Sequence, residues 1–324
     1  MRLVRLGLED LEPMLEIEKA CFPNPWTAEH FRGGLEGKRE SGAFLGVRIE
    51  GRLAAYLGWL RILEEVHILN LAVEPASRRK GLGRLLLKAV LEEWKDGATG
   101  RVGIVPLMEG ADPIVDPEDA ALWFERGVRL VGLAWKATRY SAGTGAPGPL
   151  TALGRKLVPK LDAAGLVLDL SHAADEAAYE ALDLFDGTVI ASHSNPRVIC
   201  ESDRQIPDEL IRRIGARRGV IGAVPFNKML SAGWTTEGAP RVPLSRVADA
   251  IHHVTQITGT HTTAAVGSDL DGGFGAESAP KGLETIADLP RLADEMSARF
   301  TDEQILDVLG RNWIRLLERA LPER

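Results

Sequence analysis

At 324 residues with 45% hydrophobic side chains, the chain is long enough for two domains or one large barrel, and it can fill a real core. A formal net charge of -7 leaves no excess of Lys and Arg for phosphates, which excludes broad nucleic-acid binding, and two distant cysteines, Cys21 and Cys200, exclude a disulfide framework or a cysteine zinc knuckle. No run reaches about 18 uninterrupted apolar residues and the first residues lack a signal-peptide core, so a cytoplasmic protein with no membrane partner is expected.

In chain order, MRLVRLG reads as a first strand, and EDLEPMLEIEKACF places Leu11, Met14, Leu15, Ile17 and Cys21 on one helical stripe. Pro25-Trp26-Thr27 opens a second helix, with Thr27 as its N-cap. GAFLGVRIEGRLAAYLGWLRI predicts two strands joined by a tight turn at Glu50-Gly51-Arg52, and VHILNLAVEP predicts the next strand. SRRKGLGRLLLKAVLEE is a glycine-bearing turn feeding a helix from near Leu82, where free N–H groups and the helix dipole can hold a pyrophosphate.

This order, with EKACFPNPW, ILNLAVEP and RRKGLG, resembles the N-terminal half of the GNAT acetyltransferases, specifically those that acetylate ribosomal-protein N-termini. The resemblance implies acetyl-CoA contacts from Leu71, Ala72, Val73, Arg78, Arg79, Gly81 and Gly83. It covers about 90 residues, taken as a partial domain at 1–93. In ALWFERGV, which loosely echoes the rest of that family's pattern, Trp123 stands where a leaving-thiolate acid would need a tyrosine.

Six apolar runs follow, in RVGIVPLM, VRLVGLAW, GLVLDLSH, GTVIASHS, GVIGAVPF and HTTAAVGS, alternating with helix-like segments. They predict buried strands of a parallel sheet, the architecture of an α/β barrel, whose active-site rim gathers side chains from the strand ends. Glu109, His172, His193 and Asp269 all stand at such ends. A catalytic zinc takes three protein ligands from His and carboxylates, and Glu109, His172 and His193 form such a set. Zinc lowers the pKa of bound water from about 15.7 toward 7, and Asp269 is placed to shuttle protons to a leaving amine. The Arg204 guanidinium can grip a substrate carboxylate bidentately. Taken singly, a strand-end histidine also serves as a hydrogen-bonded structural residue, and an aspartate after a strand as a helix cap. SAGTGAPGPL reads as a surface loop, SRVADAIHHVTQITG as an amphipathic helix with His252 and His253 on its flank, and TDEQILDVLGRNWIRLLERAL as one last helix capped by Thr301 and Gln304.

From residue 94 to 324, the segments MEGADP, GPLTALGRKLV, LDLSH, VIASHSNPRVICESDRQIPDELI, VGSDLDG and PKGLETIADLP resemble the membrane (renal) dipeptidase family of zinc metallopeptidases. The resemblance implies a TIM-type (β/α) barrel, Glu109 as the glutamate bridging two zinc ions, and His172 and His193 as ligands of the second. It also implies Arg204 as the site for a dipeptide's terminal carboxylate and Asp269 as the catalytic aspartate. Two features depart from the pattern. The family's first-strand His-x-Asp pair has no counterpart before Glu109, so one zinc site is expected with the second incomplete, and the substrate-binding histidine is replaced by Trp135.

The expected fold is therefore α/β, an incomplete barrel with about six of eight strands preceded by a partial GNAT-like sheet. The expected function is zinc-dependent hydrolysis of dipeptides or related small amides, impaired by the missing ligands. Acetyl-CoA-dependent N-acetylation and an inactive fusion remnant are the alternatives. A small dipeptide-like substrate is the expected partner, and a homo-oligomer is left open.

Overall fold

The computed structural model describes residues 1–22, 25–35, 42–62, 65–93, 105–270, 272 and 274–321. The switch between the two resemblances, in LLLKAVLEEWKDG, runs at its end beyond the described residues. The chain divides into two compact units, Met1–Ile104 and Val105–Arg324.

In the first unit, strand β1 (Arg2–Arg5) leads to helices α1 (Leu11–Cys21) and α2 (Ala28–Leu35). Strands β2 (Gly42–Ile49), β3 (Arg52–Ile62) and β4 (Glu65–Val73) and helix α3 (Leu82–Glu93) follow. The strands form an antiparallel sheet in the order β1-β2-β3-β4. Side-chain alternation sends Phe44 and Tyr56 to one face, against Met14, Ile17 and Phe31, and sends Val47, Leu57 and Trp59 to the other, against Leu82, Leu86 and Val90. Thr27 precedes α2, and its N–H donates to His30 Nδ1 at 2.9 Å, which engages that histidine at the helix start.

In the second unit, β5 (Leu107–Glu109), α4 (Ala120–Glu125) and β6 (Leu130–Gly132) come first. They are followed by β7 (Ser141–Gly143), β8 (Ala146–Leu150), α5 (Ala152–Ala163), β9 (Val167–Asp169), α6 (Asp175–Leu184) and β10 (Val189–Ala191). Then come α7 (Asp208–Ala216), β11 (Val220–Ala223), α8 (Ser245–Thr258), β12 (Ala264–Val266), α9 (Leu292–Met296), α10 (Asp302–Leu306) and α11 (Asn312–Ala320). Among the described residues, β12-β11-β10-β9-β6-β5 form one sheet whose neighbours all pair in parallel. Parallel pairing puts every strand C-terminus on the same edge, so residues just past β5, β9, β10 and β12 are brought close.

One face of this sheet, carrying Val131, Leu168 and Ile221, packs in the large core with the helices, including Leu157 and Leu161 of α5 and Val247, Ile251 and Val254 of α8. Leu130, Val167, Ile190, Val220 and Ala265 form a second, smaller cluster with Leu316 of α11. Trp313 packs beside that cluster, and its Nε1–H donates to the Val266 carbonyl at 2.8 Å, tying α11 to β12. His253 Nε2 lies 2.7 Å from Asp208 Oδ1, and His252 packs edge-on against Phe300, so both are engaged on the flank of α8.

Two expectations are corrected. SAGTGAPGPL is a β-hairpin, with β7 and β8 pairing antiparallel and Ser141, Gly143 and Leu150 buried. Its prolines signalled a loop, but a two-stranded ribbon exposes an outer edge where a missing N–H costs nothing. The last helix is also interrupted, since a π-helical turn at Asp307–Arg311 separates α10 from α11, after the Thr301–Gln304 capping box.

Asp307 in that turn accepts from Arg315 and lies 3.0 Å from His261 Nε2, linking the turn to the start of β12. Burial works against its charge, but Arg315 and His261 outweigh it and hold its carboxyl below the usual value. A depressed folded pKa stabilises above the unfolded value of about 3.9 and loses that contribution as pH falls through the folded value. Asp307→Asn should therefore cost about 1–3 kcal/mol at pH 7 and little in strong acid. Urea midpoints at the two pH values check this, and an equal cost at both would refute the assignment.

Candidate metal centre

The edge formed by the strand C-termini gathers three side chains from separate strands. Glu109 ends β5, His172 lies just beyond β9, and His193 just beyond β10. Their donor atoms form a nearly equilateral triangle: His172 Nε2 to Glu109 Oε1 is 3.2 Å, His193 Nε2 to Glu109 Oε1 is 3.1 Å, and the two Nε2 atoms are 3.1 Å apart. Bonds of about 2.0–2.2 Å at tetrahedral angles would separate neighbouring ligand atoms by roughly 3.3–3.6 Å, so the triangle is slightly tighter than a zinc ion requires and would open a little to hold one. The histidine side chains are about one-tenth exposed, whereas Glu109 is 42% exposed and faces the open side.

Each imidazole is braced at its other nitrogen. His172 Nδ1 lies 3.2 Å from Thr144 Oγ1, at the tip of the β7–β8 hairpin, and His193 Nδ1 lies 2.7 Å from Ser192 Oγ. Such outer partners orient a ligand ring and raise its basicity. His172 also has a positive φ of 65°, and Asp269 one of 49°, a conformation that costs a non-glycine residue of order 1–3 kcal/mol and needs support from its surroundings. The backbone here is tightly packed. A Cβ on Gly222 or Gly267 would come within 2.1 Å or 2.0 Å of the Ser192 carbonyl, so only glycine allows β11 and β12 this close to the His193 loop.

The electrostatics agree with the geometry. Hydrogen bonding to His172, then to His193, holds the Glu109 carboxyl far below its usual range. Burial pushes His172 down. Burial opposes charge on His193 too, but Glu109, with Asp169 and Asp269, lifts its pKa above the ordinary value. A proton drawn into this triangle experiences the same attraction as any cation, and three converging donor pairs with no cation between them would repel.

Arg204 reaches the same edge from the loop after β10. Its Nη2 donates to the His193 carbonyl at 2.6 Å and its Nη1 to Ser194 Oγ at 3.1 Å. Burial lowers its pKa, while Asp269, Asp169 and Glu109 act on it only through space. The loop is braced by Arg197, which forks onto Asp175 with two contacts of 2.7 Å and also donates to the Gln205 carbonyl at 2.7 Å. Trp135 follows β6, is 51% exposed, and lies with its ring centroid 5.6 Å from that of His172. Asp169, Ser192 and Thr144 are not marked by the strand-end pattern that picks out the three donors. Asp169 was detectable as a lone charge inside the apolar run LVLDL, and it is 1% exposed.

The residues proposed for acetyl-CoA lie in the first unit, where Leu71, Ala72 and Val73 end β4. Arg78 folds back, its Nε donating to the Val73 carbonyl at 3.2 Å and its Nη2 lying 3.5 Å from Cys21 Sγ. Arg79 and Gly81 both have positive φ, 60° and 79°, and Gly83 lies in the first turn of α3, beside Leu71 and Val73. ALWFERGV contributes α4 to the second unit, with Trp123 packed against its core.

Among the described residues, no helix is long and apolar enough to cross a membrane. Residues 11–105 match the acetyltransferase (GNAT) family. A protein encoded in the pqqA 5' region of Klebsiella pneumoniae is 31% identical over 210 residues, 62% of this chain and 75% of its own length. An uncharacterized dipeptidase of Schizosaccharomyces pombe is 26% identical over 216 residues, and the chain spans 51% of that protein's length. The crystal structure of a Rhodobacter sphaeroides metallopeptidase, liganded with a phosphinate mimic of the dipeptide L-Ala-D-Ala, is 27% identical with a TM-score of 0.57, over 72% of this chain and 67% of that one. Residues 87–322, most of the chain and all of the edge described above, match the membrane dipeptidases, and the chain belongs to that family, peptidase family M19, hydrolases of the metallodipeptidase type.

Proposed function

We propose that the second unit hydrolyses a dipeptide or related small amide at one zinc site held by Glu109, His172 and His193. The observation that carries this reading is the triangle of donor atoms at 3.1–3.2 Å. When bound, zinc supplies Lewis-acid polarisation of the scissile carbonyl and makes water easier to deprotonate.

The protein's own residues supply the rest. Arg204 is held at the site by the His193 carbonyl and Ser194 Oγ, and its guanidinium suits a substrate's terminal carboxylate. Asp269 acts electrostatically on both His193 and Arg204, which suits a group that takes a proton from water and returns it to the departing amine. Trp135 offers an exposed aromatic wall beside His172 for the substrate's body.

Among the described residues, the six-stranded parallel sheet fits a barrel without the family's first two strands, and the sequence before Glu109 holds no His-x-Asp pair for a second metal. We place the domain boundary at 93/94. For residues 1–93 a second reading is acetyl-CoA binding at the β4–α3 turn, favoured by the backbone of Arg79 and Gly81. The two free thiols, Cys21 and Cys200, suit the reducing cytoplasm.

Zinc stoichiometry paired with a dipeptide hydrolysis assay tests the main reading. About one zinc per chain is expected, with hydrolysis abolished by chelation and restored by zinc. Neither metal nor turnover would overturn it. Titration of the same protein with acetyl-CoA decides the second reading, which a lack of saturable binding removes.

A further inference from the structure

The hydroxyl that braces His193 is itself held by a buried carboxylate. Asp169 Oδ1 accepts from the backbone N–H groups of Ser171 at 3.0 Å and Ser192 at 2.9 Å, and Oδ2 accepts the Ser192 hydroxyl. Serine has one hydroxyl proton. With that proton given to Asp169, Ser192 Oγ can only accept from His193 Nδ1, 2.7 Å away. Nδ1 then keeps a proton whatever Nε2 carries, and Nε2, whose own proton is shared with Glu109 Oε1 at 3.1 Å, is the nitrogen whose lone pair a cation in the triangle would take.

We infer that Asp169 is a positioning residue which, acting through Ser192, sets the tautomer of His193 so that Nε2 is available as a ligand. This rests on the metal reading proposed above. The inference makes an unusual demand on an isosteric change. In Asp169→Asn the two backbone N–H groups still require an oxygen at the Oδ1 position, so the amide nitrogen must face Ser192 Oγ. The hydrogen-bond chain then reverses. Ser192 accepts from the amide, turns its own proton toward His193 Nδ1, at 2.7 Å a nearer acceptor than Ser171 Oγ at 3.3 Å, and leaves the ring protonated only on Nε2, where the proton blocks the metal position. His172 is braced at Nδ1 by Thr144 instead, so Asp169 does not act on that nitrogen.

The test uses the full-length protein near neutral pH, with imidazole 15N NMR on the metal-free form and zinc affinity by chelator competition. In the wild type His193 should carry a proton on Nδ1, besides the one that Nε2 shares with Glu109. Asp169→Asn should remove the proton from Nδ1 of His193 and weaken zinc binding about 10–100-fold. Ser192→Ala should weaken zinc binding similarly and Ser192→Thr should restore it, a pair that carries the test if Asp169→Asn fails to fold. Wild-type affinity in Ser192→Ala, or an unchanged His193 tautomer in Asp169→Asn, would overturn the inference. If the wild type itself binds no zinc, the metal reading fails separately, and the tautomer measurement still judges the role of Asp169.

Discussion

His193→Ala should abolish tight zinc retention and lower kcat/KM for dipeptide hydrolysis by at least about three orders of magnitude, since the metal's contribution is several kcal/mol and each 1.36 kcal/mol is tenfold. The size of the effect follows from the geometry. Removing one corner leaves a two-point site of His172 and Glu109, and it also leaves the Ser192 hydroxyl without its imidazole partner. The readouts are zinc per chain and steady-state kinetics, and a variant that keeps both metal and turnover would show that His193 is a structural histidine.

Asp269→Asn should act on a different quantity. A carboxamide keeps the size of the side chain but cannot take a proton, so kcat should fall about 10²–10⁴-fold, the usual contribution of general acid–base catalysis. KM and zinc content should change little, because Asp269 is not part of the donor triangle and the Arg204 fork remains. Loss of zinc in this variant would make Asp269 a support for the metal instead, and unchanged kcat would remove it from the chemistry.

Much of the site could be read from the chain. The runs ending in LSH and ASH announced strands that stop on histidines, and parallel strands stopping on one edge must bring their ends together. What escaped was the bracing. Thr144 sits in a segment whose glycines and prolines indicated a loop, and it meets His172 only because β7 and β8 close into a hairpin. Asp169 was hidden because periodicity weighs apolar residues and says nothing of where a buried carboxylate finds its donors. The π turn at Asp307–Arg311 was equally invisible, since its pairing with His261 crosses 46 positions.

By itself, then, the sequence determined which chemical groups stand at which strand ends, because strand periodicity and the residue that ends each run are local properties. Only the tertiary structure decided that three donor atoms meet at 3.1–3.2 Å and which nitrogen of each ring faces inward. Those outcomes depend on hydrogen-bond partners remote in the chain, such as Thr144 for His172 and Asp169 for Ser192, which only folding brings within bonding distance.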